Sequence, residues 1–496
     1  MTGSFVRLSA AYPRLLVLAL VAALSASARA QLITPRTIPI HQNQQFEIFP
    51  SDRAGMAGVS LALDDSVLDP FVNPAKTARA PAGLLQISPF MHSVTLGGGG
   101  GRTIPLSGFL SSGGWSGALL FSLQQLDRSP HAFNAPLSER HATNEYLVGT
   151  VARGLGGGLA VGGGGYWSDL GGIDGVERLY AGNDRLSESG HQVDLRVGLT
   201  KDWDRGRTFE LLVLRDRFDM THDVHYPPIY RQSPCCGNQP PNIAPAHDEQ
   251  NVDRTSVWGI HSEYATPVGT HGWRAGWLVT VNRLSHPRIP NYQISNLPYD
   301  PGYTNAFNAG VGIARVSHGT TLGIDLILEP MWSHTWAEAV HDTMTAVDGV
   351  IRAGDRTVDN RFHFANTLLR VGVSQDMPLT PDSSSTLGLQ AGAGIYSIKY
   401  RLNQSDHVSY TSRTQDENWM EWTPTVGVHF RTRDIRVSYD FSLTCGPNCN
   451  GQSSVFYPPP VASSPGDGVI VAPSAPLTFD GGSVKTHRIT FSFRMR

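Results

Sequence analysis

Asp216, Asp219, His222, Asp223 and His225 put three carboxylates and two imidazoles within ten residues, a donor set able to hold a divalent cation. The plainer reading of the same run is a polar loop base at the top of a strand. Four cysteines fall in two tight groups, Cys235-Cys236 and Cys445-Gly-Pro-Asn-Cys449. In an oxidising compartment they favour disulfides, either Cys445 with Cys449 or one group with the other. A zinc site using all four is the alternative, although a vicinal pair is not the spaced pair that structural zinc prefers. There is no Gly-x-Ser-x-Gly elbow, no His-Glu-x-x-His and no complete EF-hand loop, and the run Gly97 to Gly101 lacks the Lys-Ser/Thr of a phosphate loop. No enzyme, cofactor or metal site is expected.

The elements that would carry these residues begin with an export signal. Arg7 and Arg14 precede an apolar run from Leu15 to Leu24, and small residues lead to Ala28-Arg29-Ala30, so the mature chain is expected from Gln31. That run is too short to span a bilayer as a helix, and no later stretch has eighteen consecutive apolar residues. A net charge of -3 signals neither a nucleic-acid surface nor an acidic tail, and 52 glycines with 16 % charged residues suit tight turns and strands better than helices.

Alternation supplies the fold class. In Gln192 to Thr200, Val193, Leu195, Val197 and Leu199 form one face, opposite Asp194, Arg196, Gly198 and Thr200. Trp273 to Asn282 sets Trp273, Ala275, Trp277, Val279 and Val281 against Arg274, Gly276, Leu278, Thr280 and Asn282, with only Leu278 breaking the pattern. Ile435 to Leu443 sets Arg436, Ser438, Asp440 and Ser442 inward, and the final strand does the same with Arg488, Thr490, Ser492 and Arg494. Strands with one apolar and one polar face fit a membrane barrel and equally a soluble sandwich.

Connection length separates the two. Short connections near 112 to 114, 154 to 156, 203 to 206, 267 to 270, 318 to 320, 378 to 383 and 432 to 434 alternate strictly with long ones. The long ones fall near 127 to 142, 168 to 189, 222 to 252, 286 to 304, 334 to 358, 402 to 418 and 447 to 484. This is the pattern of an all-β, up-and-down antiparallel transmembrane β-barrel of the bacterial outer membrane, with tight periplasmic turns and long extracellular loops. Strands at about 85 to 95 and 102 to 111 bring the count to sixteen, with fourteen as the alternative. Trp115, Trp167, Trp203, Trp273, Tyr396 and Trp422 near strand ends suit an interfacial girdle.

Residues 31 to 82 lack this alternation and are expected to form a hatch, leaving 83 to 496 as barrel. Within them stand Ala54-Gly55-Met56-Ala57-Gly58, then Leu63-Asp64-Asp65, then Asn73-Pro74-Ala75. This order resembles the N-terminal signature of the FadL-type and PorV-type outer-membrane barrels, in which an Ala-Gly-Met-Gly-Gly-Ala stretch precedes an Ala-Asp-Asp element and an Asn-Pro-Ala turn. The resemblance implies a hatch inside or beneath the barrel. Sixteen strands exceed the fourteen of that family. The sequence ends in Arg496 rather than an aromatic residue, which leaves Phe491 and Phe493 to signal to the barrel-assembly machinery.

A barrel this wide needs water or a plug in its lumen. Asp64 and Asp65 either meet lumen arginines such as Arg196, Arg274, Arg436 or Arg488, or cap a helix starting near Ser66. The family resemblance implies passive uptake of a hydrophobic or amphipathic small molecule, with candidate pocket residues in Tyr226 to Tyr230 and Met331 to Trp336 of the long loops. A surface or secretion factor would instead hold a protein partner on Pro-rich loops such as Ser233 to Pro245 and Tyr457 to Pro476. A general diffusion porin would leave the lumen open. Outer-membrane lipid is the common partner of all three.

Overall fold

The computed structural model describes residues 44–81, 83–95, 98–128, 141–178, 183–231, 242–285, 302–339, 341–381, 384–446 and 483–495. The expected export signal, the Pro-rich Tyr457 to Pro476 loop, Cys235, Cys236 and Cys449 lie outside them. Among the described residues sixteen strands close into one antiparallel barrel. The first, β1, comprises Leu84–Ile87 and Phe90–Val94, interrupted at Ser88 and Pro89, where proline has no amide hydrogen to give the ladder. In chain order follow β2 (Gly100–Ser112), β3 (Trp115–Asp127), β4 (His141–Gly156) and β5 (Leu159–Leu170). Next come β6 (Arg185–Trp203), β7 (Arg207–Tyr226), β8 (His247–Pro267) and β9 (Trp273–Leu284). The rest are β10 (Gly302–Ser317), β11 (Thr320–Glu338), β12 (Arg356–Pro378), β13 (Thr386–Asp406), β14 (Thr411–Arg431), β15 (Ile435–Cys445) and β16 (Ser483–Arg494). Each strand pairs with its neighbour in sequence, and β1 closes the ring against β16 through pairs such as Ile87 with Phe491 and Phe90 with Arg488.

The short connections fall close to where the sequence places them, except that the one expected at 154 to 156 is displaced to Gly157 and Gly158, because β4 runs on through Gly156. Between β2 and β3 only Gly113 and Gly114 remain, both with positive φ (59° and 81°), the conformation a two-residue hairpin needs to match strand twist. His318 and Gly319 do the same between β10 and β11. One expected long connection, 402 to 418, is not a loop. β13 and β14 pair in register as far as Asp406 with Thr411, so the hairpin stands tall on the long-loop side. Its turn chemistry lies in Asp406, whose carboxylate accepts from Val408 N and Ser409 N. Met331 to Trp336, expected in a loop, likewise lies within β11.

Alternation sets the two faces. Val197 (67 % exposed), Leu195, Leu119 and Val426 point outward, while Asp194, Thr200, Asp325 and Asn282 on the same or neighbouring strands are buried inside. Such an outer belt would be an aggregation surface in water and is lipid-facing surface in a bilayer. Trp115, Trp167, Trp203, Trp273 and Trp422 are exposed on it, as a girdle requires. Tyr396 departs from that expectation and points inward, donating to Glu329 Oε2 at 2.6 Å.

Residues 44 to 81 fold within the ring as short turns: 3-10 turns Ala54–Met56 and Pro74–Arg79 flank one four-residue helix, Asp69–Val72. The first turn packs against β12 to β15 and the last against β3 to β6, so this inner segment crosses the lumen from wall to wall.

Candidate functional site

The inner segment is held by the inward residues of the barrel, and three kinds of contact do it. The first is close approach to glycine. Gly276, Gly312, Gly323, Gly372 and Gly392, all near the short-turn ends of their strands, face Leu61, Val59 and Met56 so tightly that an added methyl group would overlap them. Gly162 and Gly198 do the same opposite Pro74 and Asn73. The segment therefore rests in a shallow ring of missing side chains in the lower part of the lumen.

The second is apolar packing. Ile48, Val67 and Phe71 of the segment join Phe109, Leu120, Tyr146, Tyr166 and Phe218 of the wall in one buried cluster. Phe71 stacks on Phe49 at 5.6 Å and meets Phe109 at 5.5 Å. A second cluster explains the break in alternation on β9, because Leu278 turns inward onto Leu61 of the segment and Ile327. Burying each large side chain contributes on the order of 2 kcal/mol.

The third is polar. The lumen arginines do meet the segment, mostly through its carbonyls. Arg196, paired with Asp194 at 2.6 Å, donates to Phe71 O (3.0 Å) and Val72 O (3.2 Å). Arg488 donates to Phe49 O and Glu47 O, each at 2.6 Å. Arg436 pairs with Asp52, and Asp440 lies buried in register with Arg488. Arg274 comes within 3.8 Å of Asp64. Asp65 instead closes the turn ahead of the helix, which starts at Asp69 rather than Ser66 and has no side-chain cap: its Oδ1 accepts from Val67 N and Leu68 N, and its Oδ2 from Ser51 Oγ and Asp52 N.

The motif residues divide the work. Gly55 and Met56 lie in the first turn, and Ala57 and Gly58 follow with φ of 56° and 67°. Thr425 Oγ1 ties this turn to β14, accepting from Ala57 N and donating to Gly55 O. Asn73 is fully buried; its Oδ1 accepts from Ala75 N across Pro74 and its Nδ2 donates to Glu210 Oε2 at 2.8 Å. Lys76 then places its Nζ 2.7 Å from Glu210 Oε1 and 3.1 Å from Asp69 Oδ2. Glu210, His261 and Glu263 gather close enough to bind a metal ion, but Lys76 already stands there as the cation. Burial pushes the Asp69 carboxyl up to about 7 despite the pull of Lys76.

The donors of the Asp216 to His225 run do not come together. Strand parity sends Asp216 and His222 into the lumen and Asp219, Asp223 and His225 outward, so no common ion can be held. Inside, His222 Nδ1 meets Glu188 at 2.9 Å and Arg128 meets the same carboxylate at 2.7 Å, while Gln192 donates to Asp216. Cys445 is disulfide-bonded, and every other cysteine of the chain lies outside the described residues.

One feature escaped sequence reading. On the long-loop side of the inner segment, Met331, Phe362, Phe364, Ile398, Tyr400, Leu402 and Trp419 from β11 to β14 make an apolar patch on the lumen wall. Phe364 and Tyr400 centroids are 5.4 Å apart, and Trp419 meets Tyr400 edge-on at 6.3 Å. Tyr400 Oη is buried with no hydrogen-bond partner among the described residues. The signal was present as apolar residues at lumen parity in otherwise polar registers, such as Phe362-x-Phe364 and Ile398-x-Tyr400-x-Leu402.

A closed barrel with an apolar outside, tight turns on one rim and a folded segment in its lumen defines a membrane-spanning protein of the bacterial outer membrane. No protein-family model matches the chain, and no curated protein matches it. Among solved structures it is similar to a Pseudomonas aeruginosa FadL homologue at 11 % identity and a TM-score of 0.41, over 90 % of this chain and 98 % of that one. It is also similar to the CymD monoaromatic hydrocarbon channel (9 % identity, TM-score 0.33, 90 % and 98 % covered). A third is the ferric enterobactin receptor of Pseudomonas aeruginosa (10 % identity, TM-score 0.31, 84 % and 82 % covered).

Proposed function

We propose that the protein is a passive uptake channel for hydrophobic or amphipathic small molecules, with residues 44 to 81 as its hatch. The observation that carries this reading is the aromatic patch of Phe362, Phe364, Tyr400 and Trp419 inside the lumen above the hatch. A water-filled diffusion pore has no use for apolar inward residues, whereas an apolar ligand needs such a wall and a few polar groups to orient it. Tyr400 Oη, the Tyr396 hydroxyl on Glu329 and the Trp419 indole N–H on Glu421 supply those groups. Below the patch, the seam between hatch and wall at Asp64, Lys76, Arg79, Glu210, Glu263 and Arg274 is charged rather than apolar.

The test is uptake by the reconstituted mature protein. Labelled fatty acid and a labelled monoaromatic hydrocarbon are offered to proteoliposomes, with Phe364→Asp as the variant. Uptake by the natural protein that falls at least tenfold in the variant supports the reading. Equal uptake by both, or none by either alongside steady ion conductance, overturns it.

A further inference from the structure

We infer that the outer wall at β6 to β8 carries a docking site for the phosphate of a phosphorylated glycolipid in the surrounding leaflet. A groove of about 910 Å³ opens there on the lipid-facing side, on the long-loop side of the apolar belt. Its floor is apolar, with Val193 and Leu195, and its edge carries Arg215, Arg217 and Arg254. Cross-strand register places these in successive rows: Arg215 lies between Leu195 and Trp258, Arg217 opposite Val193, and Arg254 opposite Asp219.

Guanidinium groups pointing out of a membrane barrel are costly in hydrocarbon and acceptable at the interface, where lipid phosphates lie. Their existing partners leave capacity for an anion. Arg217 Nε binds Asp219 at 2.7 Å, and the same carboxylate lies 3.4 Å from His191. Arg215 sits 4.8 Å over the exposed Trp258 ring and makes one long bond of 3.4 Å to Val257 O. Arg254 is exposed and has no ion-pair partner among the described residues. Asp169 at the far edge is the remaining carboxylate, so the groove holds three guanidiniums against two acids. A forked guanidinium matches phosphate oxygens two at a time, and the Val193 and Leu195 floor suits the acyl chains beneath such a headgroup.

The experiment uses the mature protein in detergent, with native mass spectrometry reading the bound lipid. The probes are lipid A carrying both phosphates, the same lipid dephosphorylated, and inorganic phosphate. Retention of the phosphorylated lipid, at least tenfold stronger than of the dephosphorylated form and not competed by millimolar phosphate, is the expected result. The triple variant Arg215→Gln, Arg217→Gln, Arg254→Gln is expected to lose it at least tenfold, and Arg254→Gln alone severalfold. Arg153→Gln, an outward arginine near the opposite rim over Trp115, serves as the control and keeps it. Folding is checked by heat-modifiable migration on gels, and the single variant decides if the triple one fails to fold. Equal retention of both lipid forms, or retention unchanged in a folded variant, overturns the site.

Discussion

Lys76 Nζ lies 2.7 Å from Glu210 Oε1, joining the last turn of the inner segment to the inner face of β7. The neighbouring Asn73 amide holds the other oxygen of the same carboxylate at 2.8 Å. Both side chains of the pair are nearly buried, at 12 % and 7 % exposure, so neither charge has water to fall back on. This is the point where the Asn73-Pro74-Ala75 motif is fixed to the barrel.

Replacing Lys76 by Gln strands the ionised carboxylate of Glu210. Breaking a buried pair from one side costs about 3 to 5 kcal/mol. The expected outcome is an inner segment open to protease, and a larger single-channel conductance from a barrel that still migrates as folded. Protection equal to that of the natural protein would show that the pair contributes little.

Gly276→Ala puts a methyl group into the Leu61 carbonyl, which is backbone and cannot swing away. Overpacking of this kind costs about 1 to 3 kcal/mol. Hydrogen exchange is expected to rise around Val59 to Leu63 with little change in the barrel strands. Gly154→Ala, where the space is open, is the matched control and leaves exchange unaltered.

Ala57 occupies the left-handed region at φ 56°, at a position where the FadL-type pattern has glycine. An L side chain there costs about 1 to 2 kcal/mol, which Ala57→Gly partly relieves against glycine's greater freedom when unfolded. Calorimetry is expected to show a higher unfolding temperature for Ala57→Gly. A lower one would mean that the Thr425 bond to Ala57 N already sets this turn without strain.

Asp69 gives the docking of the segment a pH dependence. Its carboxyl is raised by burial to about 7, facing Lys76 as well as Asp64, Asp65 and Glu210. A raised carboxyl binds its proton more tightly when folded, so its contribution is full below about pH 4 and is lost as pH rises through about 7. Protease resistance of the segment should therefore decline between pH 5 and 8, and Asp69→Asn should flatten that decline. A slope that persists in Asp69→Asn would assign the dependence to another group.

Several readings came from residue order because strand parity is local. Val193, Leu195, Val197 and Leu199 face outward as their alternation requires, and the Gly113-Gly114 and His318-Gly319 turns mark hairpins by residue type. The acidic and histidine run from Asp216 to His225 holds no common site for the same reason. A count of donors ignores parity, which puts Asp216 and His222 on one side of the sheet and Asp219, Asp223 and His225 on the other.

By itself, then, the sequence determined the barrel, its strand faces, its even count and the presence of a non-barrel segment before it, because each of these rests on near neighbours in the chain. Only the tertiary structure decided where that segment's bonds go. Lys76 and Glu210 are far apart in sequence, as are Leu61 and Gly276 or Phe364 and Tyr400, and nothing local fixes which inward residues share a height in the lumen. Ring closure of β1 on β16 fixes the register of every strand between them, and with it the glycine ring below and the aromatic wall above.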